Sequence, residues 1–444
     1  MRINKNNEVK NGNHKPKIAL FHYSGPPKTS GVDNIIRDQA RLFRRYGYRV
    51  EIIVGLGKQF RKDIPVKVIR KISPKHPKVL SIMKELENLQ VSKAFNKLEQ
   101  SLFCSIQKYL IKNEINVCIF HNLFTRPYNL ALTSALARLV KEMPEIKFIT
   151  WVHDVIFYDE PEASLKSEMG KNYPWDLLVK PIPGLKYVCV SNFLRNNLRS
   201  ALKEAKKKQI IVIHNGQDIE KFLGLSPAMR ILYRDIYKTK TDLIACIPVR
   251  AIPRKNLQMA IKIAKSMVNK GVNFKLLLTA NIDYKREKNL KYYEYLKNLV
   301  KRLGLYNKVF FLEEYFSQFA ADKKPAPPIP IPELFLISDF LLFTSKVEGF
   351  GLPLIEAGLM KCPIFAADIP PLKEIGSTNI HYFKITDTAD QTADYILENI
   401  KNMSQLYFYR KIINKFCLHT IFKKQIIPLV DRNNKINKTL YDKK

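Results

Sequence analysis

Short apolar runs alternate with amphipathic segments along most of this 444-residue chain. Residues 17–22 predict a buried strand, residues 32–46 an amphipathic helix, and residues 49–54 a second strand. A strand, a helix and a strand in this order form a βαβ unit, whose two strands lie parallel in one sheet. The opening of the chain therefore predicts an α/β domain.

The same rhythm continues to about residue 400 and falls into two series. After a long helical pattern at 80–112, further strands of the first series are predicted at 117–120, 148–152, 187–190 and 210–213. A second series begins near residue 242, with strands predicted at 243–249, 274–280, 308–312, 340–343 and 363–367. Because the chain is too long for one ordinary core, we expect two α/β domains, residues 1–238 and 239–402.

An acidic turn follows the predicted strand at 340–343. Glu348 and Glu356 bracket a segment with two glycines, and Pro353 lies near the start of the next helix, where its missing N–H costs nothing. The glycines let a ligand approach backbone N–H groups at a helix N-terminus, which favours anions. Carboxylates accept hydrogen bonds from sugar hydroxyls, so the turn suits a phosphorylated sugar.

Two cations follow the first predicted strand of the second series. Arg250 and Lys255 are spaced Arg-x-x-x-x-Lys, and Arg254 between them is a further cation without an assigned role. Arginine offers a planar fork to phosphate, and lysine offers a movable point charge. The pair could therefore offset the charge of a nucleoside diphosphate.

These two motifs carry a family resemblance. Residues 348–356 read Glu-Gly-Phe-Gly-Leu-Pro-Leu-Ile-Glu, and with the Arg/Lys pair they resemble the retaining glycosyltransferases of family 4. The resemblance spans roughly residues 17–400 and is strongest from 240 to 376. It implies the GT-B fold, in which two Rossmann-like domains face a central cleft and the C-terminal segment, here 403–444, returns to the first domain.

The resemblance implies a role for each residue of the second domain. Arg250 and Lys255 stabilise the leaving diphosphate, Glu348 holds the hydroxyls of the donor sugar, and Glu356 binds the ribose. Backbone amides of the turn add hydrogen bonds to the donor: Phe350, Gly351 and Leu352. The resemblance implies no metal cofactor, and the sequence has no Asp-x-Asp cluster of the kind that holds Mg²⁺ on a diphosphate. It also implies that the leaving phosphate accepts the proton of the acceptor and that the nucleotide sugar is the only co-substrate.

The resemblance also implies roles in the first domain. His153 would contact the donor sugar and a phosphate oxygen, and Asp154 would orient His153 or line the acceptor pocket. His121 and Arg126, after another predicted strand, suit a sugar or anionic acceptor.

This chain departs from the family pattern at two places. Ser30-Gly31 stands where the family often has two glycines, although Gly31 could still let the backbone approach a diphosphate at the helix N-terminus. Residues 251–254 replace the usual glycine-rich spacing of the Arg/Lys loop.

The net charge of +35 has two readings. Lys, Ile and Asn are abundant throughout, as in AT-rich genomes, so composition alone can account for the charge. Basic segments at 59–78 and 195–208 leave open an enzyme acting on a lipid or polysaccharide precursor at an anionic membrane surface. Non-catalytic binding of a phosphorylated ligand or nucleic acid is a further alternative, although no nucleic-acid motif is present.

Further features of the sequence limit the expected cellular location and the class of substrate. No apolar run has the length of a membrane span and the N-terminus lacks a signal-peptide core, so we expect a cytoplasmic protein, with the inner membrane face as an alternative. Six scattered cysteines predict no zinc site. Segments around His121, 151–154 and 173–175 resemble some mannosyl- and glucosyltransferases, which favours a donor of the GDP-mannose or UDP-glucose type. The sequence leaves open the base, the sugar and whether the acceptor is a carbohydrate, a lipid or a small molecule.

Overall fold

The structure, a computed structural model, describes residues 15–26, 30–88, 90–155, 171–202, 205, 209–237, 242–281, 286–318 and 328–431. The chain divides into two compact units. Among the described residues, the first unit contains those up to Gly216 together with those from Leu418 to 431, and the second unit contains those of Gln217–Cys417.

A seven-stranded parallel sheet forms the centre of the first unit, in the order β3-β2-β1-β4-β5-β6-β7. Its strands are β1 (Ile18–Ser24), β2 (Val50–Leu56), β3 (Val66–Val68), β4 (Val117–His121), β5 (Lys147–Val152), β6 (Leu185–Cys189) and β7 (Ile210–Val212). The helices of this unit that precede the second unit in the chain are α1 (Gly31–Arg45), α2 (Pro77–Glu87), α3 (Lys93–Lys112), α4 (Leu130–Glu142) and α5 (Asn192–Ala201).

Both faces of this sheet are covered. On β1, Ile18 and Leu20 belong to one apolar cluster, whereas Ala19 and Phe21 belong to another, and all four side chains are fully buried. Successive side chains of a strand point to opposite faces, so this alternation places apolar contacts on each side. Burial on two faces explains why the strands read as continuous apolar runs.

The second unit has a six-stranded parallel sheet, in the order β10-β9-β8-β11-β12-β13. Its strands are β8 (Leu243–Ile247), β9 (Phe274–Leu278), β10 (Val309–Phe311), β11 (Phe340–Phe343), β12 (Ile364–Ala367) and β13 (His381–Phe383). Its helices are α6 (Ile219–Phe222), α7 (Pro227–Ile236), α8 (Leu257–Asn269), α9 (Glu287–Arg302), α10 (Leu312–Ser317), α11 (Ile331–Ile337), α12 (Leu352–Leu359), α13 (Pro370–Gly376), α14 (Ala389–Lys401) and α15 (Ser404–Phe416).

The predicted fold class of two Rossmann-like α/β domains is confirmed. The strand order reverses between β1 and β4 in the first sheet and between β8 and β11 in the second. Ligands of open α/β sheets bind beyond the carboxyl ends of the strands at such switch points. The motifs singled out in the sequence follow strands at or beside these points.

The long helical pattern predicted at 80–112 is two helices, α2 and α3. The break occurs because Ser92 caps α3, where its hydroxyl accepts a hydrogen bond from the backbone N–H of Phe95 at 3.1 Å. The strand β3, three residues long, was not predicted. A strand-like piece and a helix were predicted for residues 383–402, and the structure has β13 and α14 there.

The two units divide at different residues from the predicted boundaries. Residues 217–237, which the prediction assigned to the first domain, pack in the second unit, where Met229, Leu232 and Ile236 are fully buried in its core. Helix α15 likewise packs in the second unit, because its Ile413 joins the same core.

A buried ion pair attaches α15 to the second sheet. The Arg410 guanidinium donates from Nε to Asp339 Oδ1 at 2.7 Å and from Nη1 to the Tyr237 hydroxyl at 2.7 Å. Asp339 Oδ2 accepts from the backbone N–H of Ile244 at 2.6 Å. The side chains of Arg410 and Asp339 are 7% and 0% exposed, so each charge depends on the other for compensation.

The chain returns to the first unit after α15, at Leu418 rather than at residue 403, where the predicted returning segment began. Helix α16 (Leu418–Ile421), the π-helical turn Phe422–Ile426 and helix α17 (Ile427–Val430) place apolar side chains in one core of the first sheet. A Cβ on Gly216 would lie 2.6 Å from the Cα of Leu418, so only glycine permits this close approach. No described helix has the length and hydropathy needed to cross a membrane.

We predict that Arg410→Ala lowers the free energy of unfolding by about 3–5 kcal/mol, because it leaves the Asp339 carboxylate buried without its partner. Denaturant unfolding of the full chain measures this. Arg302→Ala, at an exposed position in the last turn of α9, is the matched control and should cost less than about 1 kcal/mol. Equal losses in the two variants would contradict a structural role for the buried pair.

Candidate functional site

Two distant loops of the second unit meet at the carboxyl edge of its sheet. After β8, residues Pro253–Lys255 form a 3-10 turn, and Asn256 adopts a left-handed conformation (φ 53°) before α8. The Thr344 hydroxyl lies 3.1 Å from the carbonyl oxygens of both Lys255 and Asn256. The backbone N–H of Lys346 donates to the Arg254 carbonyl at 2.9 Å. These bonds bring the Arg/Lys loop against the acidic turn after β11.

Within this junction, Glu348 binds two cations. Lys255 Nζ donates to Glu348 Oε1, and Arg254 Nη1 donates to Glu348 Oε2 at 3.2 Å and to the Val347 carbonyl at 2.9 Å. The side chains of Glu348 and Lys255 are 7% and 11% exposed, whereas that of Arg254 is 43% exposed. Sequence reasoning missed the part played by Arg254, because the acceptor of its charge lies more than 90 residues away.

The charges in this cluster are unequal. Burial raises the pKa of the Glu348 carboxyl, but hydrogen bonds from neighbouring side chains, chiefly Lys255, and the charge of Lys255 together hold that pKa below its usual value. Burial lowers the pKa of Lys255 in spite of Glu348, and the charges of Arg254 and Arg250 lower it further. One carboxylate therefore pairs with two cations, and the charge of Arg250 also acts on Lys255, so the positive charges of this cluster outnumber its carboxylate.

The acidic turn needs glycine at only one of its two glycine positions. Gly351 precedes α12 with φ 118°, and a Cβ there would lie 2.6 Å from the Leu372 Cδ2 atom. A Cβ on Gly349 would meet nothing within 4 Å. The side chains of Phe350 and Leu352 beside Gly351 are 54% and 57% exposed.

Glu356 lies about one turn inside α12, as the sequence predicted. It is half-buried, and its carboxylate has no hydrogen-bond or ion-pair partner among the residues that the structure describes. A half-buried carboxylate in this position remains able to accept hydrogen bonds from a ligand, such as ribose hydroxyls.

Three histidines meet at the carboxyl edge of the first sheet. His121 ends β4 and His153 follows β5, and the distance from His121 Nδ1 to His153 Nε2 is 3.0 Å. His22, on β1, places its Nδ1 atom 2.9 Å from the His121 carbonyl oxygen, to which it donates. His22 was not predicted as a site residue, although it is a polar residue ending an apolar run.

All three rings are held neutral. Burial lowers the pKa of His121 well below the usual value, with smaller contributions from the charges of His153 and His22. Burial, followed by the charge of His22, lowers the pKa of His153 to about 3. Burial also lowers the pKa of His22, despite its hydrogen bond to His121. These rings therefore act as hydrogen-bonding groups rather than as cations at neutral pH.

The surroundings of Asp154 differ from the expectation that it orients His153. Its Oδ2 atom accepts from Asn122 Nδ2 at 2.9 Å and lies 3.6 Å from Arg126 Nη2. The ring of His153 instead hydrogen bonds to His121. The ring of His121 is fully buried, so in this conformation it cannot touch an acceptor as predicted.

Gly31 begins α1, and a side chain there would meet nothing within 4 Å. Ser30 caps the helix and donates to Asp33 Oδ2 at 2.6 Å, so a buried carboxylate already lies in the first turn. That negative charge opposes a phosphate at this N-terminus. The role of Gly31 at a diphosphate stays a prediction.

Two further expectations concern charge and metals. In the basic segment 195–208, residues 203–204 and 206–208 lie outside the described residues. In the segment 59–78, Arg61 pairs with Asp63 at 2.8 Å, which offsets part of its charge. No group of three His, Cys, Asp or Glu side chains able to hold a metal ion occurs in the described ranges.

We predict that Gly351→Ala lowers the free energy of unfolding by about 1–3 kcal/mol, because alanine is strained at this φ and its Cβ overlaps Leu372. Gly349→Ala is the matched control, two residues away without either obstacle, and should change stability by less than about 1 kcal/mol. Thermal and denaturant unfolding report both. The explanation fails if the two variants are equally stable.

We predict that the free energy of unfolding falls as the pH is lowered from 7 to 5. The unfolded His153 binds a proton below about pH 6.5, whereas in the folded chain its pKa is about 3, so protons favour the unfolded state in this window. His153→Asn should reduce that fall by roughly 1–2 kcal/mol, as measured by urea unfolding at each pH. His76→Asn, outside the cluster, is the control and should show the same fall in stability as the wild type. An equal fall in the wild type and both variants would contradict the assignment of this pH dependence to His153.

Comparison with known proteins places these features in a family context. Residues 230–414 match the family model described as glycosyl transferases group 1, and this range includes both the Arg/Lys loop and the acidic turn. The chain is 26% identical over 251 residues to the serotype-specific mannosyltransferase WbdA of Escherichia coli, a match that covers 54% of this chain and 28% of WbdA. The chain thus spans less than a third of the length of that relative.

A second curated relative is the mannosylglucosylglycerate synthase of Petrotoga mobilis, 24% identical over 299 residues, which cover 64% of this chain and 65% of the synthase. Among solved structures, a glycosyltransferase from Rickettsia africae matches with a TM-score of 0.36 and 19% identity, over 95% of this chain and 100% of that chain. Anabaena HepE, crystallised with UDP and glucose, matches with a TM-score of 0.32 and 18% identity, over 92% and 98%. Residues 230–414 thus resemble glycosyl transferases group 1, and each of the two units contains a Rossmann-like parallel sheet.

Proposed function

We propose that the chain is a retaining glycosyltransferase that moves a hexose from a nucleoside-diphosphate sugar to a hydroxyl group. The observation that carries the proposal is the pairing of Lys255 with Glu348 at the carboxyl edge of the second sheet. Here a nearly buried cation, two further arginines and a nearly buried carboxylate lie in one place. Diphosphate and sugar hydroxyls are the chemistry that this combination recognises.

The cations act on the leaving group. As the bond from the sugar to the diphosphate lengthens, negative charge grows on the phosphate oxygen. Lys255 is already fixed by Glu348, and its charge need not reorganise when that oxygen becomes more negative. Arg250, exposed on the same loop, can add a second contact to the diphosphate.

Glu348 can bind a sugar without releasing its cations. A carboxylate offers about four lone-pair positions, and Lys255 and Arg254 each occupy one, on different oxygens. The remaining lone pairs can accept hydrogen bonds from two hydroxyls of the donor sugar. This arrangement couples recognition of the sugar to the position of the catalytic lysine.

The proposed reaction needs no protein nucleophile. The acceptor oxygen attacks the anomeric carbon on the face from which the diphosphate leaves, so one C–O bond forms as the other breaks. The acceptor proton passes to the departing phosphate oxygen, and the configuration is retained. Mannose is the favoured sugar, because two curated relatives are named as a mannosyltransferase and a mannosylglucosylglycerate synthase.

The first unit offers features that suit a neutral carbohydrate acceptor. The charge of Arg126 is offset by Asp154, at 3.6 Å, which disfavours recognition of an anion by Arg126. The Tyr128 ring is 49% exposed, is packed edge-on against Tyr23 and lies 5.9 Å from the Arg126 guanidinium. Such a fixed aromatic face can pack against the apolar face of a sugar ring, while Asp154 accepts a hydroxyl hydrogen bond.

We predict that Lys255→Ala lowers kcat for hydrolysis of the donor by roughly 10²- to 10³-fold, the usual effect of losing one preorganised charge-stabilising group. The assay uses GDP-mannose and UDP-glucose separately and detects the released diphosphate. Lys262→Ala, an exposed lysine of α8, is the matched control and should retain full activity. Lys255→Ala at wild-type kcat would refute the proposed mechanism.

A further inference from the structure

We propose that His121 is a positioning residue, which holds the His153 ring in the tautomer with its proton on Nδ1. In that tautomer His153 presents a fixed N–H donor to an oxygen of the bound substrate. The inference deepens the proposed function and rests on it for the identity of the substrate. The tautomer itself is a property of the free protein and can be tested without turnover.

The two rings are held in a defined geometry. His121 and His153 lie at the ends of the adjacent parallel strands β4 and β5, with ring centroids 5.3 Å apart and ring planes 15° from parallel. The Trp151 ring stacks on His121 at 6.2 Å. The backbone N–H of His153 donates to Asn122 Oδ1 at 2.8 Å, which fixes the main chain beneath the ring.

The direction of the hydrogen bond follows from the other nitrogen of His121. A hydrogen bond between two neutral rings needs one proton, which lies either on His121 Nδ1 or on His153 Nε2. His121 Nε2 is buried and has no hydrogen-bond partner in the described part of the chain. A proton there would be a buried donor without an acceptor, which is rarer in proteins than a buried acceptor without a donor. His121 therefore carries its proton on Nδ1 and donates it to His153.

This direction determines the state of His153. Its Nε2 atom accepts the bond from His121, so the single proton of the neutral ring lies on Nδ1. Nδ1 has no hydrogen-bond partner among the described residues and is not completely buried, so its proton is free to be donated to a ligand. Burial keeps the ring neutral near pH 7, because it lowers the pKa of His153 to about 3. The neutral His153 ring thus donates a hydrogen bond to an oxygen of the substrate, and it does not serve as a general acid at that pH.

The His22 side chain supports the same arrangement from the next strand. Its Nδ1 atom donates to the His121 carbonyl at 2.9 Å, so its own proton is committed to the backbone. His22 therefore steadies the end of β4 rather than competing for the proton that His121 gives to His153.

The direct test is ¹⁵N NMR of the full chain with selectively labelled histidine. The chain has eight histidines, and single substitutions assign their ring signals. We expect His153 and His121 each to carry the proton on Nδ1 at pH 7. A His153 ring with its proton on Nε2, or a positively charged ring, would overturn the proposal. Neither result depends on which nucleotide sugar the chain uses.

Two variants separate positioning from packing. His121→Phe keeps an aromatic ring but removes the donor, so His153 should move toward the Nε2 tautomer that an unconstrained neutral histidine side chain prefers. The kcat/KM for GDP-mannose or UDP-glucose should then fall roughly 3- to 10-fold. His121→Asn places an amide N–H near the former Nδ1 position and should retain the Nδ1 tautomer of His153 and most of the activity.

An unchanged His153 tautomer in the folded His121→Phe protein would overturn the inference, as would equal losses in the Phe and Asn variants. Unfolding temperatures establish that each variant is folded. If the Phe variant does not fold, the wild-type spectrum and the Asn variant still decide the tautomer. Lack of activity of the wild type with both nucleotide sugars would count against the proposed function and leave the spectroscopic result standing.

Discussion

The proposed site depends on a nearly buried ion pair, Lys255 with Glu348. Removing two charges from water costs several kcal/mol per ion, so such a pair contributes little to stability and is expensive to break. What it provides is a cation with a fixed position and a carboxylate with spare lone pairs. Arg254 pairs with the same carboxylate as Lys255, and Arg250 adds a further positive charge nearby. The proposed site therefore keeps positive charge that a diphosphate can offset.

The two sheets place different chemistry at the same structural position. Parallel strands end at a common edge, which collects side chains from distant parts of the chain. In the second unit this edge carries excess positive charge. In the first unit it carries three neutral histidines and a carboxylate offset by Arg126. This contrast agrees with the proposed function, in which positive charge binds the diphosphate of the donor and neutral groups form hydrogen bonds with hydroxyl groups.

The apolar pattern predicted both sheets, because strands buried on two faces read as continuous apolar runs, as in 117–120 and 340–343. It could not predict the unit boundary, since the placement of 217–237 depends on which core its apolar face meets. The motif pointed to Glu348 and Lys255 but not to their contact, and it left Arg254 unassigned. The contact between His121 and His153 could not be predicted from the sequence either, because the two residues become neighbours only through the pairing of β4 with β5.

The measurement that tests this account most directly is thermal stabilisation and slow hydrolysis of the full chain with a panel of donors: GDP-mannose, UDP-glucose, UDP-galactose, UDP-N-acetylglucosamine and ADP-glucose. The account predicts that one donor raises the unfolding temperature and is slowly hydrolysed, with its free nucleoside diphosphate stabilising the chain as well. Because a ligand that binds the folded chain stabilises it by mass action, millimolar ligand suffices to detect weak binding. No response to any donor or free diphosphate would contradict the account and favour a role without sugar transfer.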